Sequence, residues 1–398
     1  MSRRAAALPP PDPAALAHSR ELVARLGERA AAAPMAFVDF MRAALYEPGF
    51  GYYMGGAAKF GAAGDFITAP ELSPLFGEAI AQQCAELFEG DAALPMRILE
   101  LGAGSGALAE SVLASCDDTL RYDILEPSPE LQQRQRQRLS AVLGEGILER
   151  VTWLHALPTR FDGVVLANEV VDAMPVERFV KRSEAPGDVW RVMTVPVDDE
   201  NAPFRDAQAE PGETLRAAVA HIESGLAATL PAGYAAEVNL LADPWVRTLA
   251  DSLGRAALLI VDYGYPRAEL YSAERAAGTL ACYYRHRAHD DPYRWPGLQD
   301  ITTHVDFTTL AEAGTQAGLS LLGYAAQSSF LLGNGLTGLA ERRLATCERE
   351  LDRIAIVQQV KTLTLPGEMG ERFQVIAFGS DYDRALRGFA ERELTHRL

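Results

Sequence analysis

The sequence predicts an α/β protein built on a parallel, doubly wound sheet. Three observations carry that expectation. Short apolar strands alternate with helical segments from residue 96 onward, and a glycine turn joins the first of these strands to its helix. Residues 161–167 (Phe-Asp-Gly-Val-Val-Leu-Ala) are almost continuously apolar, as a strand covered on both faces should be.

Taken in order, the opening residues are rich in Arg, Ala and Pro and read as a flexible arm (1–20); the prolines there disfavour an amphipathic helix. Helical spacing follows over 20–28 and 35–45, then a glycine- and tyrosine-rich stretch that cannot be regular for long. Ser73-Pro74 has the form of an N-cap with proline at the first helical position, and the helix continues to about Phe88. Strand 97–101, helix 107–115, strand 121–125, a helix capped by Ser128 and running to about 143, and strands 151–155 and 161–167 make up the alternating region. Residues 179–181 and 190–195 flank Ala185-Pro186-Gly187-Asp188 and read as a β-hairpin. An acidic loop (198–210) and a helix (213–230) follow. The alternation then resumes with strand 234–238, helix 244–253 and strand 257–262. Residues 265–305 read as an irregular lid or substrate loop. Helix 306–317, strand 319–325, one long helical stretch (337–363) and strand 373–378 close the pattern.

The 398 residues carry 37 Lys+Arg against 54 Asp+Glu, a net charge of −17. That sign disfavours a general nucleic-acid binder, whose phosphate contacts need a basic surface, and suits a cationic partner. The four cysteines form no Cys-x-x-Cys pair, which points to a reducing compartment without a disulfide framework. No apolar run is long enough to span a membrane, so no membrane insertion is expected. His286, His289 and His304 sit among aspartates at spacings that match no standard ligand pattern, and no metal is expected.

The chemistry concentrates at strand ends. Glu100-Leu101-Gly102-Ala103-Gly104-Ser105-Gly106 lies between a strand and a helix; its spacing is neither that of a dinucleotide-binding turn nor that of a P-loop. Glu126 ends the next strand, where a carboxylate can accept both hydroxyls of a ribose. Two acids and no phosphate anchor point to S-adenosyl-L-methionine, whose sulfonium and ammonium suit carboxylates. A structural glycine turn and NAD are the alternatives these residues leave open. Asn168 and Glu169 end the fourth strand and Asp262 a later one, so all three are expected on one rim, where capping residues would also be found. Asp65, between Gly64 and Phe66, lies in a loop that could fold over a cofactor or simply form an Asx turn. Trp153 reads as a core residue, and residues 132–138 as a solvated helix face.

Four motifs, in this order, give the chain a resemblance: Gly64-Asp65-Phe66-Ile67-Thr68-Ala69-Pro70-Glu71, the glycine motif, Asn168-Glu169-Val170-Val171-Asp172-Ala173-Met174-Pro175 and His304-Val305-Asp306-Phe307. The chain resembles the MidA family of class I S-adenosylmethionine-dependent methyltransferases over most of its length, including Gly370-Glu371-Arg372-Phe373. The resemblance implies a Rossmann-like, seven-stranded methyltransferase sheet with an N-terminal helical segment and inserted β and helical cap segments. It also implies an arginine of a partner protein as methyl acceptor, in the mitochondrial member a complex I subunit. By motif match, Glu100, Gly102, Ala103, Gly104, Ser105, Gly106 and Glu126 would hold the cofactor, with Asp65 and Thr68 closing over it. Asn168 and Glu169 would face the acceptor. Glu169 is the first candidate for the carboxylate that takes the acceptor's proton, and Asp262 the second.

The organisation expected is an arm (1–20), a helical segment with the covering loop (21–95), a methyltransferase core (96–380) with insertions at about 177–232 and 265–305, and a tail (381–398). The cell compartment expected is a bacterial cytoplasm, or the mitochondrial matrix for a eukaryotic chain. A homodimer is one option for its assembly. A small-molecule O- or N-methyltransferase and a non-catalytic assembly factor are the competing functions.

Overall fold

The computed structural model describes residues 8–55, 67–199 and 202–398. The chain forms two compact units, each discontinuous in sequence. One comprises residues 67–170, 243–265 and 307–398; the other comprises 1–66, 171–242 and 266–306. The sequence-based division is consecutive and separates the chain differently.

The first unit carries the alternating region. Its strands are β1 (Arg97–Leu101), β2 (Arg121–Leu125), β3 (Val151–Leu154), β4 (Phe161–Asn168), β5 (Leu253–Tyr265), β6 (Ser320–Ala326) and β7 (Phe373–Ser380). They lie in the order β3-β2-β1-β4-β5-β7-β6. Seven strands were expected; this path has seven, and with one short strand paired off it the sheet counts eight. Strands β1 to β5 pair in parallel, and β7 runs antiparallel between β5 and β6. Helices Ala107–Ser115 and Pro129–Leu143 follow β1 and β2, and both sheet and helices contribute apolar side chains to one core. Residues 256–261 of β5 are all buried, as the apolar run demands. The chain order reverses between β1 and β4. In an open α/β sheet, that switch point leaves a crevice at the carboxyl ends of the strands.

The second unit is built differently. Met35–Ala36, Glu177–Lys181, Val189–Pro196, Phe204–Ala209 and Ala235–Val238 form a five-stranded sheet. Residues 177–181 and 189–196 pair as the hairpin expected. Two expectations are corrected here. Phe204–Ala209, read as part of an acidic loop, is a strand on the outer edge of that hairpin, where its charged side chains face solvent. Ala235–Val238, read as part of the alternating sheet, pairs antiparallel with Glu177–Lys181. A run of four residues cannot announce which sheet it joins. Within 265–305, read as irregular, Ala281–Tyr284, Arg287–His289 and Asp300–Thr302 form a small antiparallel sheet.

The supposed arm is helical from Pro13 to Ala32. Asp12 caps this helix by accepting from the backbone N–H groups of Ala14 and Ala15, at 3.1 and 2.9 Å, and Pro13 occupies the first turn. The proline that argued against a helix is its start signal. The long helical stretch near the C-terminus is two helices, Leu336–Thr346 and Glu350–Thr364. Among the described residues no helix is long and apolar enough to cross a membrane, and no group of three or more His, Cys, Asp or Glu side chains is placed to hold a metal ion.

Candidate functional site

Register places the motif residues in one row. Leu101 of β1 lies beside Leu125 of β2 and Ala167 of β4, and Ala167 lies beside Ile260 of β5. The residues immediately beyond them are Gly102, Glu126, Asn168 and Val261, with Asp262 one further. Parallel pairing therefore brings four segments far apart in sequence to one sheet edge, at the switch point.

The glycine turn requires glycine. Gly102, Gly104 and Gly106 have φ values of +65°, +52° and +84°. Side chains with a Cβ occupy that region at a cost of about 1–2 kcal/mol each. Gly106 is the N-cap of the helix Ala107–Ser115, so the chain passes directly from a bare loop into a helix. Ala103 is buried. Ser105 hydrogen-bonds the carboxylate of Glu71, and Arg138 donates to both, at 2.8 Å to Glu71 and 3.2 Å to Ser105. Glu71 belongs to the short helix Ala69–Leu72, whose N-cap is Thr68. Thr68 is thus held one turn from a side chain bonded to the glycine motif. Asp65 lies outside the described residues.

Both acids are buried. Glu100 accepts the Tyr122 hydroxyl at 2.8 Å, and burial pushes its carboxyl up to about 7, reinforced by the charge of Glu126. Glu126 accepts the Ser128 backbone N–H at 2.9 Å and the Gln135 amide at 3.4 Å.

Residues 132–138 are not the solvated face expected: Gln132 and Gln135 are buried, and Arg138 is half-buried in ion pairs with Glu71 and Glu110. Trp153 does more than fill the core, since its indole N–H donates to Gln135 at 2.8 Å. The signal missed is their spacing. Gln132, Gln135 and Arg138 recur every three residues and share one helix face.

At the end of β4, Glu169 holds φ +52°, an uncommon conformation for a residue with a side chain. Its N–H bonds the Val261 carbonyl at 2.9 Å, which fixes the turn to β5. The Asn168 amide donates to the Glu169 carboxylate at 3.1 Å, and its carbonyl oxygen is buried with no hydrogen-bond partner among the described residues. Asp262 is fully buried. It accepts the N–H groups of Val170 at 3.2 Å and Tyr263 at 2.8 Å, so it braces the turn that presents Glu169.

A sheet of this order, with a bare glycine turn after its first strand and buried carboxylates on β1 and at the end of β2, defines a nucleoside-binding α/β enzyme of the class I methyltransferase type. The residues present fit S-adenosylmethionine: three glycines at positive φ in one turn allow close approach, and the Glu126 carboxylate at the end of β2 suits a ribose. The comparisons agree. The model of a family of S-adenosyl-L-methionine-dependent methyltransferases matches residues 79–325. Protein arginine methyltransferase NDUFAF7, mitochondrial, of Danio rerio is 29% identical over 379 residues, covering 86% of this chain and 83% of the relative. Its Homo sapiens counterpart is 26% identical over 391 residues, covering 89% and 83%. A crystal structure from Burkholderia thailandensis, bound to S-adenosyl-homocysteine, superposes with a TM-score of 0.88 at 41% identity, covering 98% of this chain and all of that one. The chain belongs to the MidA family of S-adenosylmethionine-dependent methyltransferases, and its cofactor is S-adenosylmethionine.

Proposed function

We propose that this methyltransferase acts on an arginine side chain of a partner protein. The observation that carries the reading is the Asn168–Glu169 pair: a carboxylate held at positive φ beside a buried amide oxygen still able to accept a hydrogen bond. Guanidinium N–H groups are donors only, and the Glu169 carboxylate and the Asn168 carbonyl oxygen are acceptors for them. The names of the relatives and the net charge of −17 support a basic protein target. A respiratory complex I subunit in the bacterial cytoplasm is the partner this reading favours.

On this reading Gly102, Ala103, Gly104, Ser105 and Gly106 form the cofactor cradle and Glu126 takes the ribose. Glu100 lies behind the cradle, where burial favours its protonated form, and Thr68 closes over the cofactor. S-adenosylmethionine supplies an electrophilic methyl on a sulfonium leaving group. Glu169 and Asn168 hold the guanidinium by its N–H groups, so that one nitrogen is presented in line. A guanidinium with pKa above 12 is a poor nucleophile, and Glu169 accepts its proton as the new N–C bond forms. Asp262 positions Glu169 through the Val170 N–H and takes no proton.

The test is transfer of radiolabelled methyl from S-adenosylmethionine into cell lysate. Label in acid-precipitable protein, recovered as methylarginine on hydrolysis, is expected. Label confined to soluble small molecules, or found on another amino acid, overturns the reading in favour of another acceptor.

A further inference from the structure

We propose that Gln135, oriented by Trp153, is a positioning residue that locks the two halves of the cofactor site together. Its side chain is fully buried and spans three partners. The Gln135 amide nitrogen donates to the Gly104 carbonyl at 2.9 Å and to the Glu126 carboxylate at 3.4 Å, while its oxygen accepts the Trp153 indole N–H at 2.8 Å.

The donor inventory fixes this arrangement. An indole N–H can only donate, so the amide oxygen of Gln135 must face Trp153. Both amide protons then point away from Trp153, at a carbonyl and a carboxylate that can only accept. No flipped orientation satisfies the three partners at once. One amide therefore ties the middle of the glycine turn, after β1, to the acid that ends β2. Those two segments are 22 residues apart in sequence and are otherwise linked near the site by the Gly102 N–H on the Leu125 carbonyl, at 3.1 Å.

Trp153 is itself held. It sits in β3 with Arg136 stacked over its ring at 3.7 Å, on the same helix as Gln135. Glycine turns are conformationally free, and the Glu126 carboxylate sits beyond three rotatable bonds. The bridge removes both freedoms before a ligand arrives, which lowers the ordering cost of binding. The effect falls on nucleoside affinity, not on the transfer step.

The test is calorimetric titration with S-adenosyl-homocysteine, reading each variant as a ratio to the wild-type Kd at the same pH. Gln135→Met is expected to weaken binding about tenfold, the worth of one hydrogen bond to a charged group. Trp153→Phe keeps the packing and frees the amide to flip, and a loss of about threefold is expected. Gln135→Glu separates positioning from packing. At pH 8 it sets a carboxylate against Glu126 and the Gly104 carbonyl, and binding falls. As the pH is lowered its carboxyl protonates and can donate again, so its ratio to the wild type recovers. Wild-type ratios for Gln135→Met, an unchanged Trp153→Phe, or a Gln135→Glu defect that is the same at every pH would each overturn the proposal. If Gln135→Met does not fold, the pH course of Gln135→Glu and the Trp153→Phe titration still decide it.

Discussion

Tyr122 of β2 donates its hydroxyl to the Glu100 carboxylate of β1 at 2.8 Å, inside the sheet and away from water. Burial dominates this pair and pushes the Glu100 carboxyl up to about 7; the tyrosine hydrogen bond opposes the rise and the Glu126 charge adds to it. Folding therefore favours the protonated acid over its unfolded value of 4.5. The contribution is fully present below pH 4.5 and is lost as the pH rises through 7, in all about 3 kcal/mol. Ligand-free protein should lose stability between pH 5 and about 8, and Glu100→Gln should flatten that slope. Unfolding midpoints across the range check this, and parallel slopes for the two proteins would contradict it.

Two glycines separate binding from folding. At Gly102 a methyl group would meet only Val170, at 3.6 Å, so the cost of Gly102→Ala is the strain of φ +65°, about 1–2 kcal/mol. At Gly163, within β4, a Cβ would lie 2.3 Å from the Arg97 carbonyl, a contact that only backbone movement can relieve. Gly163→Ala should therefore be the more damaging to stability. Gly102→Ala should remain folded yet weaken S-adenosyl-homocysteine binding tenfold or more by calorimetry.

Glu169 combines strain with its proposed role. Glu169→Gln should cut methyl transfer about 100-fold or more while changing S-adenosyl-homocysteine affinity less than twofold. Glu169→Gly should be inactive as well and more stable than wild type by about 1 kcal/mol, because glycine is at ease at φ +52°. Turnover retained in Glu169→Gln would remove the residue from the mechanism.

The alternating unit was readable because each local signal agrees with its neighbour. Strands 97–101 and 121–125, the helix after the glycine turn, and Ser128 as a cap are found at the residues expected. Glu100, Gly102 and Glu126 stand out because residue type coincides with a position at or beside a strand end, and register brings Gly102 and Glu126 to one edge. What stayed hidden depends on pairing and burial. A short run such as Ala235–Val238 has no local mark of its sheet, and Gln135 looks like any polar residue on a charged helix until Trp153 is seen beneath it. Asp262 was expected on the rim by its strand end; it is fully buried there and accepts the backbone N–H groups of Val170 and Tyr263.

The Arg138 network ties Thr68 to the glycine motif. Arg138 reaches Glu71 at 2.8 Å and Glu110 at 2.6 Å, and Glu71 in turn bonds Ser105. Removing the guanidinium should free the helix Ala69–Leu72 without disturbing the sheet. Arg138→Met is expected to raise amide exchange over residues 67–73 and to weaken S-adenosyl-homocysteine binding about threefold to tenfold. Arg138→Lys should restore only part of the loss, since an ammonium cannot serve both carboxylates in the geometry of a fork. Unchanged exchange over 67–73 in Arg138→Met would show that the segment is held by other contacts.

The second unit depends on a pair of charges that never meet water. Lys181 lies 2.7 Å from Glu223, with side chains 0% and 1% exposed. The ammonium also donates to the Ala185 carbonyl at 2.8 Å, and the carboxylate accepts the N–H groups of Gly187 at 2.7 Å and Leu230 at 3.2 Å. This cluster closes the hairpin turn onto the helix Glu213–Ser224. Lys181→Met strands a buried carboxylate and should cost about 3–5 kcal/mol. Adding Glu223→Gln removes the stranded charge while keeping an acceptor for the backbone donors, so the double variant should recover most of that loss. Urea unfolding of the two variants measures both steps. A single variant within about 1 kcal/mol of wild type would mean that solvent reaches the pair after all.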